Sequence, residues 1–222
     1  MKPKPIGIVG GAGPLAGASL LERVLSISGS TYGCCKDADF PKVLLLSFPF
    51  SEMLSPETNA TQLRTELKGC LNQLRKNGAA VLAIACNTLH AFLEEDEIDL
   101  VHLPKTVAME IPEAEVPLVL CTTTSMQFGL HKQFFPCVYP DPDTQMQIDK
   151  IIGQILKGTD QQIIIDALLK IISVQTNTTV VLGCTELSLF TRYLAPCNKL
   201  IVDPLEIAAN KIVEKSFFNR RL

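Results

Sequence analysis

The feature that most constrains this chain is an alternation of short apolar runs with helix-length amphipathic stretches, several runs giving way to glycine or small polar residues. Runs at residues 6–9, 43–48, 80–85, 118–121 and 179–182 read as strands. Stretches at 15–26, 58–76, 145–156, 161–174 and 204–217 read as helices. Strands spaced by helices point to an α/β fold with a largely parallel sheet. Within 58–76, Leu63, Leu67, Cys70, Leu71 and Leu74 fall on one helical face, and Asn77-Gly78 supplies a stop.

The second half repeats the plan of the first. Ala85-Cys86-Asn87-Thr88-Leu89 and Gly183-Cys184-Thr185-Glu186-Leu187 each follow a helix and an apolar strand, and each sets a cysteine beside a threonine. Pro112 and Pro117 bracket an acidic piece at 113–115, which suits a linker. The boundary is therefore expected near residue 114. Residues 1–114 form an α/β half carrying Cys86, and residues 115–222 a similar half carrying Cys184. Helix 204–217, with Ile207, Ala208, Ile212 and Val213 on one face, is expected to pack back on the first half.

Composition removes several classes. At 222 residues and 47% hydrophobic content the chain closes a core, either one large domain or two small ones. With 20 Lys plus Arg against 23 Asp plus Glu and no basic stripe, nucleic acid is not an expected partner. The longest apolar run, 79–86, is far short of the roughly 18 to 20 residues of a bilayer span, so no membrane role is expected. Lys2 and Lys4 ahead of an apolar stretch imitate a signal peptide, but Gly7, Gly10, Gly11, Gly13, Pro14 and Gly17 oppose its helix. The eight cysteines are dispersed through a full-sized core, as in a reducing cytoplasm rather than a disulfide framework.

In open α/β sheets, ligands collect beyond the carboxyl ends of the strands. Four such ends carry small or polar residues: Gly10-Gly11-Ala12-Gly13, Cys86-Asn87-Thr88, Thr122-Thr123-Thr124-Ser125 and Cys184-Thr185-Glu186. Two of them present a thiol. If the halves face each other by a pseudo-two-fold relation, Cys86 and Cys184 confront one another across a cleft. Opposed thiols allow one sulfur to remove a proton from one face of a carbon while the other delivers a proton to the opposite face. A helix N-terminus after each cysteine is expected to lower its pKa. Asn87, Thr88, Thr122, Ser125 and Thr185 offer donors for a carboxylate. Glu186 reads equally as a first-turn helix acid, a partner for a substrate ammonium or a support for Cys184. His90, one turn after Cys86, reads as structural.

Other chemistries fit less well. Gly11-x-Gly13-x-x-Ala16 follows a strand, but 43–48 leads to Pro49 without the acidic residue a dinucleotide ribose needs. No triphosphate loop, no metal spacing of the Cys-x-x-Cys kind and no strand-end lysine for pyridoxal phosphate occurs. Neither a metal nor an organic cofactor is expected.

At these residues the chain resembles the aspartate/glutamate racemase family, the cofactor-independent amino-acid racemases. The resemblance rests on Ile6-Gly7-Ile8-Val9-Gly10-Gly11-Ala12-Gly13-Pro14, Ala85-Cys86-Asn87-Thr88-Leu89-His90, Leu120-Cys121-Thr122 with Ser125-Met126, Gly183-Cys184-Thr185-Glu186-Leu187 and Ile201-Val202-Asp203-Pro204. It implies two Rossmann-like halves, a site between them, a small-molecule amino-acid substrate and a homodimer. It assigns Cys86 and Cys184 as the acid/base pair. Gly11, Ala12, Asn87, Thr88, the Leu89 backbone, Thr122, Ser125 and Thr185 fall around the substrate, and Glu186 supports the second thiol.

Departures concern substrate choice. Ala12 stands where the family often has Met, and Leu89 where a small residue is common, so the pocket is expected to be wider on one side and tighter on the other. Aspartate-specific members carry an Arg after the second strand, whereas residues 47–58 here contain no Arg or Lys. Lys150 and Lys157 are the second-half candidates for a cation. Two other readings use the same residues: a non-catalytic amino-acid or dicarboxylate binding protein, and a maleate- or hydantoin-type isomerase.

Overall fold

A computed structural model describes residues 2–51, 59–93 and 99–218. The chain runs from β1 (Ile6–Gly10) through α1 (Pro14–Tyr32), β2 (Val43–Ser47), α2 (Ala60–Lys76), β3 (Val81–Ile84) and β4 (Leu100–Val101) to α3 (Leu103–Ala108). It continues with β5 (Leu118–Val119), α4 (Thr123–Gln127), α5 (Pro142–Leu156), α6 (Gln161–Ser173), β6 (Thr179–Val181), β7 (Leu200–Val202) and α7 (Pro204–Phe217). Two parallel sheets result: four strands in the order β2-β1-β3-β4, and three in the order β5-β6-β7. The expected α/β architecture in two halves is the observed one.

Strand alternation decides which layer each side chain joins. In and just beyond β3, Val81, Ala83 and Ala85 pack with α1 and α7, while Leu82, Ile84 and Cys86 pack toward α2. Both faces are covered, which is why the run carries no polar alternation. In the second half, α5 and α6 cover one face of the sheet with Ile148, Ile151, Ile164 and Leu168. Val119, Val181 and Val202 line the other face with Phe135 and with Val107 of α3.

Several boundaries differ from the sequence reading. Helix α1 continues past residue 26 to Tyr32, because the Ser28 hydroxyl bonds back to the Val24 carbonyl at 2.7 Å and Gly33, at φ 69°, closes the helix. Helix α2 starts at Ala60, capped by Asn59, whose side chain accepts from the Gln62 N–H. Residue 58, the expected start, lies outside the described residues. Strands β4 and β7 and helix α3 are additions.

Helix α7 packs on α1 and α3. Its N-cap, Asp203, accepts from the Leu205 N–H at 3.0 Å and from the Thr191 hydroxyl at 2.6 Å, and pairs with Arg23 of α1 at 2.8 Å. Arg23 also donates to the Ser188 carbonyl at 2.8 Å, in the turn that follows Cys184. Among the described residues no helix is long and apolar enough to cross a membrane. Replacing Asp203 removes a cap and one of the two carboxylates paired with the part-buried Arg23, Glu206 remaining at 2.9 Å, so Asp203→Ala is expected to cost about 1–3 kcal/mol in urea unfolding. A loss below about 1 kcal/mol contradicts this role.

Candidate active site

The carboxyl ends of β1, β3, β5 and β6 converge on one cavity of about 240 Å³. Its wall includes Gly11, Ala12 and Gly13 after β1, Cys86, Asn87 and Thr88 after β3, Thr122 after β5, and Cys184, Thr185 and Glu186 after β6. The first loop comes in close because of its glycines. Gly11 adopts φ +102° against the Phe48 backbone, and a Cβ on Gly13 would strike the Glu186 carboxylate.

Both candidate thiols face this cavity. Cys86 and Cys184 are only 7% and 6% exposed. The Cys184 thiol donates to Glu186 Oε2 at 3.3 Å. The Thr185 hydroxyl lies 3.4 Å from the same oxygen and 3.0 Å from the Ala85 carbonyl in the other half. From the first half, the Thr88 hydroxyl sits 2.9 Å from Ser125 Oγ and 3.3 Å from Thr122 Oγ1. Thr122 in turn caps α4, accepting from the Ser125 N–H at 3.1 Å. Each half therefore places a threonine hydroxyl across the cleft.

The electrostatics correct one expectation. Neither cysteine opens an α-helix: Cys86 leads to the 3-10 turn Thr88–Phe92, and Cys184 to the 3-10 turn Leu187–Tyr193. Burial pushes the Cys86 thiol up to about 12, and the charge of Glu186 adds to the rise. The Leu89 and Thr88 N–H groups and the Thr88 hydroxyl oppose it without cancelling it. Burial, then Glu186, also raises Cys184 well above the ordinary thiol value. Desolvation outweighs the local N–H dipoles, so both sulfurs are protonated at neutral pH in the ligand-free site. Burial likewise raises the Glu186 carboxyl, opposed by its bonds to Cys184 and Thr185 and by the Gly13 N–H.

Two residues of the cavity lining carry buried polar groups without a hydrogen-bond partner of their own. The side-chain amide of Asn87 has no hydrogen-bond partner at either atom, and neither does Glu186 Oε1. Buried polar groups are seldom left unsatisfied unless a ligand or water completes them. His90 does not act on the thiol. Its Nδ1 donates to the Cys86 carbonyl at 2.8 Å, and its Nε2 accepts from the Leu103 N–H at 3.2 Å. Burial lowers its pKa to about 3, so the neutral ring serves as a strut under Cys86.

Of the residues singled out by sequence, Gly11, Ala12, Cys86, Asn87, Thr88, Thr122, Cys184, Thr185 and Glu186 line the cavity. Ser125 stands behind the wall, bonded to Thr88. Leu89 is fully buried in the first-half core, so its side chain does not narrow the pocket. Lys150, exposed on α5, and Lys157, the exposed residue that caps α5 after Leu156, are not among the residues lining the cavity. Phe50, Ser51, Ile152 and Leu156 were missed. Among the described residues no group of three or more His, Cys, Asp or Glu is placed to hold a metal ion.

Fold and site together define an α/β protein of two parallel-sheet halves with paired thiols in the cleft between them. The Asp/Glu/Hydantoin racemase family matches residues 9–212, and the chain belongs to that family. It is similar to the broad specificity amino-acid racemase RacX of Bacillus subtilis (strain 168), with 25% identity over 133 residues, 58% of this chain and 59% of that relative. The aspartate racemase of Picrophilus torridus shares the fold at TM-score 0.80 and 19% identity, covering 99% of this chain and 96% of that one. A glutamate racemase from Francisella tularensis subsp. tularensis SCHU S4, solved in complex with D-glutamate, gives TM-score 0.69 and 14% identity, covering 99% and 83%.

The raised thiols have a measurable signature. Alkylation of Cys86 and Cys184 by iodoacetamide, followed peptide by peptide in the mass spectrometer, is expected to accelerate about tenfold per pH unit between roughly pH 7 and 9. A rate plateau below about pH 8 contradicts the burial argument.

Proposed function

We propose that this chain is an amino-acid racemase working without a cofactor, by two-base 1,1-proton transfer between Cys86 and Cys184. The observation that carries this reading is that both thiols line one cavity whose remaining polar groups suit a single small zwitterion. The Asn87 amide and the threonine hydroxyls are donors for an α-carboxylate, and the free oxygen of Glu186 suits an α-ammonium. Family membership and the racemase relative support the same activity. We also place the division between halves near residue 114, with helix 204–217 of the second half packing back on the first.

In one direction, Cys184 passes its proton to Glu186 along the existing S–H···O contact and becomes the base. It then takes the proton from Cα while the Cys86 thiol delivers its own to the opposite face. The proton lost by Cα ends on Cys184, the proton gained comes from Cys86, and the carbon is inverted. The new Cys86 thiolate is received by the Thr88 and Leu89 N–H groups and the Thr88 hydroxyl. When product leaves, the Glu186 carboxyl releases its proton and the Cys86 thiolate takes one up from solvent, which restores the starting forms; the reverse direction runs the same transfers backward. The substrate's ammonium supplies the positive charge that makes a buried thiolate attainable.

Cys86→Ser and Cys184→Ser are each expected to slow racemisation by about 10²–10⁴-fold while preserving the rise in melting temperature on ligand binding. Polarimetry and loss of the Cα–H signal in D₂O give the rates. A variant racemising at the wild-type rate contradicts the mechanism. Ligand-induced stabilisation of the wild type without exchange at any amino-acid Cα favours a binding protein instead.

A further inference from the structure

Part of the cavity lining consists of residues that proton transfer does not use. Phe50, beyond β2, and Ile152 and Leu156, one turn apart on α5, supply with Ala12 and Pro14 its apolar part. This part is anchored. The Ser51 N–H and hydroxyl both donate to the Glu66 carboxylate of α2, at 3.0 and 2.6 Å, and Phe48 meets Phe50 edge to face at 4.9 Å. Leu156 stands at the rim, 44% exposed, against the Gly13 loop.

Charge is lacking in this part. Among the described lining residues there is no Lys or Arg, and the charged side chain is that of Glu186, only 4% exposed. The sequence between β2 and α2, residues 48–59, also contains no Lys or Arg. A substrate carrying a second carboxylate would give up its hydration here without a cation to replace it, in a cavity that already holds one buried carboxylate. A cationic side chain would meet apolar lining, because one Glu186 oxygen is engaged with Cys184 and Thr185 and the racemase reading gives the other to the α-ammonium. At about 240 Å³ the cavity is smaller than the roughly 300 Å³ lower end of drug-sized sites, which suits one amino acid.

We infer that the site takes amino acids with uncharged, predominantly apolar side chains and discriminates against aspartate and glutamate, with Phe50, Ile152 and Leu156 setting that preference. This inference rests on the racemase reading above.

The test is a panel of single enantiomers of alanine, leucine, methionine, phenylalanine, aspartate, glutamate, lysine and arginine, incubated with the wild-type protein in D₂O. Cα–H exchange is read by NMR as kcat/KM. The best apolar substrate is expected to exceed aspartate and glutamate by about a hundredfold or more. Leu156→Arg places a cation at an exposed rim position where folding is spared. It is expected to raise the glutamate-to-leucine ratio of kcat/KM by about tenfold or more. Fastest exchange with an acidic or basic amino acid overturns the specificity inference alone, and so does an unchanged ratio in Leu156→Arg. Absence of exchange with every member of the panel overturns the racemase reading and this inference with it.

Discussion

The hydrogen bonds that cross the cleft fix the site. Thr88 of the first half bonds with Thr122 and Ser125 of the second, and Thr185 of the second bonds to the Ala85 carbonyl of the first. All of these hydroxyls are buried, so separating the halves at this level leaves groups unsatisfied in a dry interior, at about 1–3 kcal/mol each. Thr88 lies two residues beyond Cys86 and Thr185 one residue beyond Cys184, so the bonds that join the halves also hold the two sulfurs in register. The Arg23–Asp203 pair extends the same constraint outward, tying the turn after Cys184 to α1 and α7.

Burial of both thiols and of Glu186 accompanies this registry, and it governs the chemistry. In an exposed cleft a thiol near backbone N–H groups would titrate early. Here desolvation dominates and raises both sulfurs and Glu186 together. The two thiols are then distinguished by what surrounds them. Cys86 is met by donors that suit a thiolate, whereas Cys184 is met by an acceptor that suits a departing proton. An asymmetric pair of this kind fits a reaction in which the sulfurs exchange the roles of acid and base.

Much of the fold was legible because strand burial and helix periodicity leave strong marks. The unbroken apolar run ending at Cys86 and the one-faced stripe on α2 appear where the pattern places them. Strands β4 and β7 span two and three residues, too short to carry a period. The polar end of α1 misread as a stop because Ser28 satisfies its hydroxyl within the helix. At the site, strand-end position was enough to place Cys86 and Cys184 at the cavity. The sign of their pKa shift was not readable, since it depends on how completely the other half seals the cleft. Ile152 and Leu156 share the letters of ordinary core residues on α5, and only the tertiary arrangement shows that this stripe ends at a cavity. The expectation that Leu89 tightens the pocket does not hold, because its side chain turns into the core.

The central claim is that two sulfurs reach opposite faces of one substrate carbon. A crystal structure of the Cys184→Ser variant with an amino acid bound tests it most directly. The account predicts Cα lying between Cys86 Sγ and the substituted hydroxyl at position 184, both within about 4 Å, with the carboxylate on the Asn87 amide and threonine hydroxyls. A ligand with both side chains on the same face of Cα, or with either one out of reach, contradicts it.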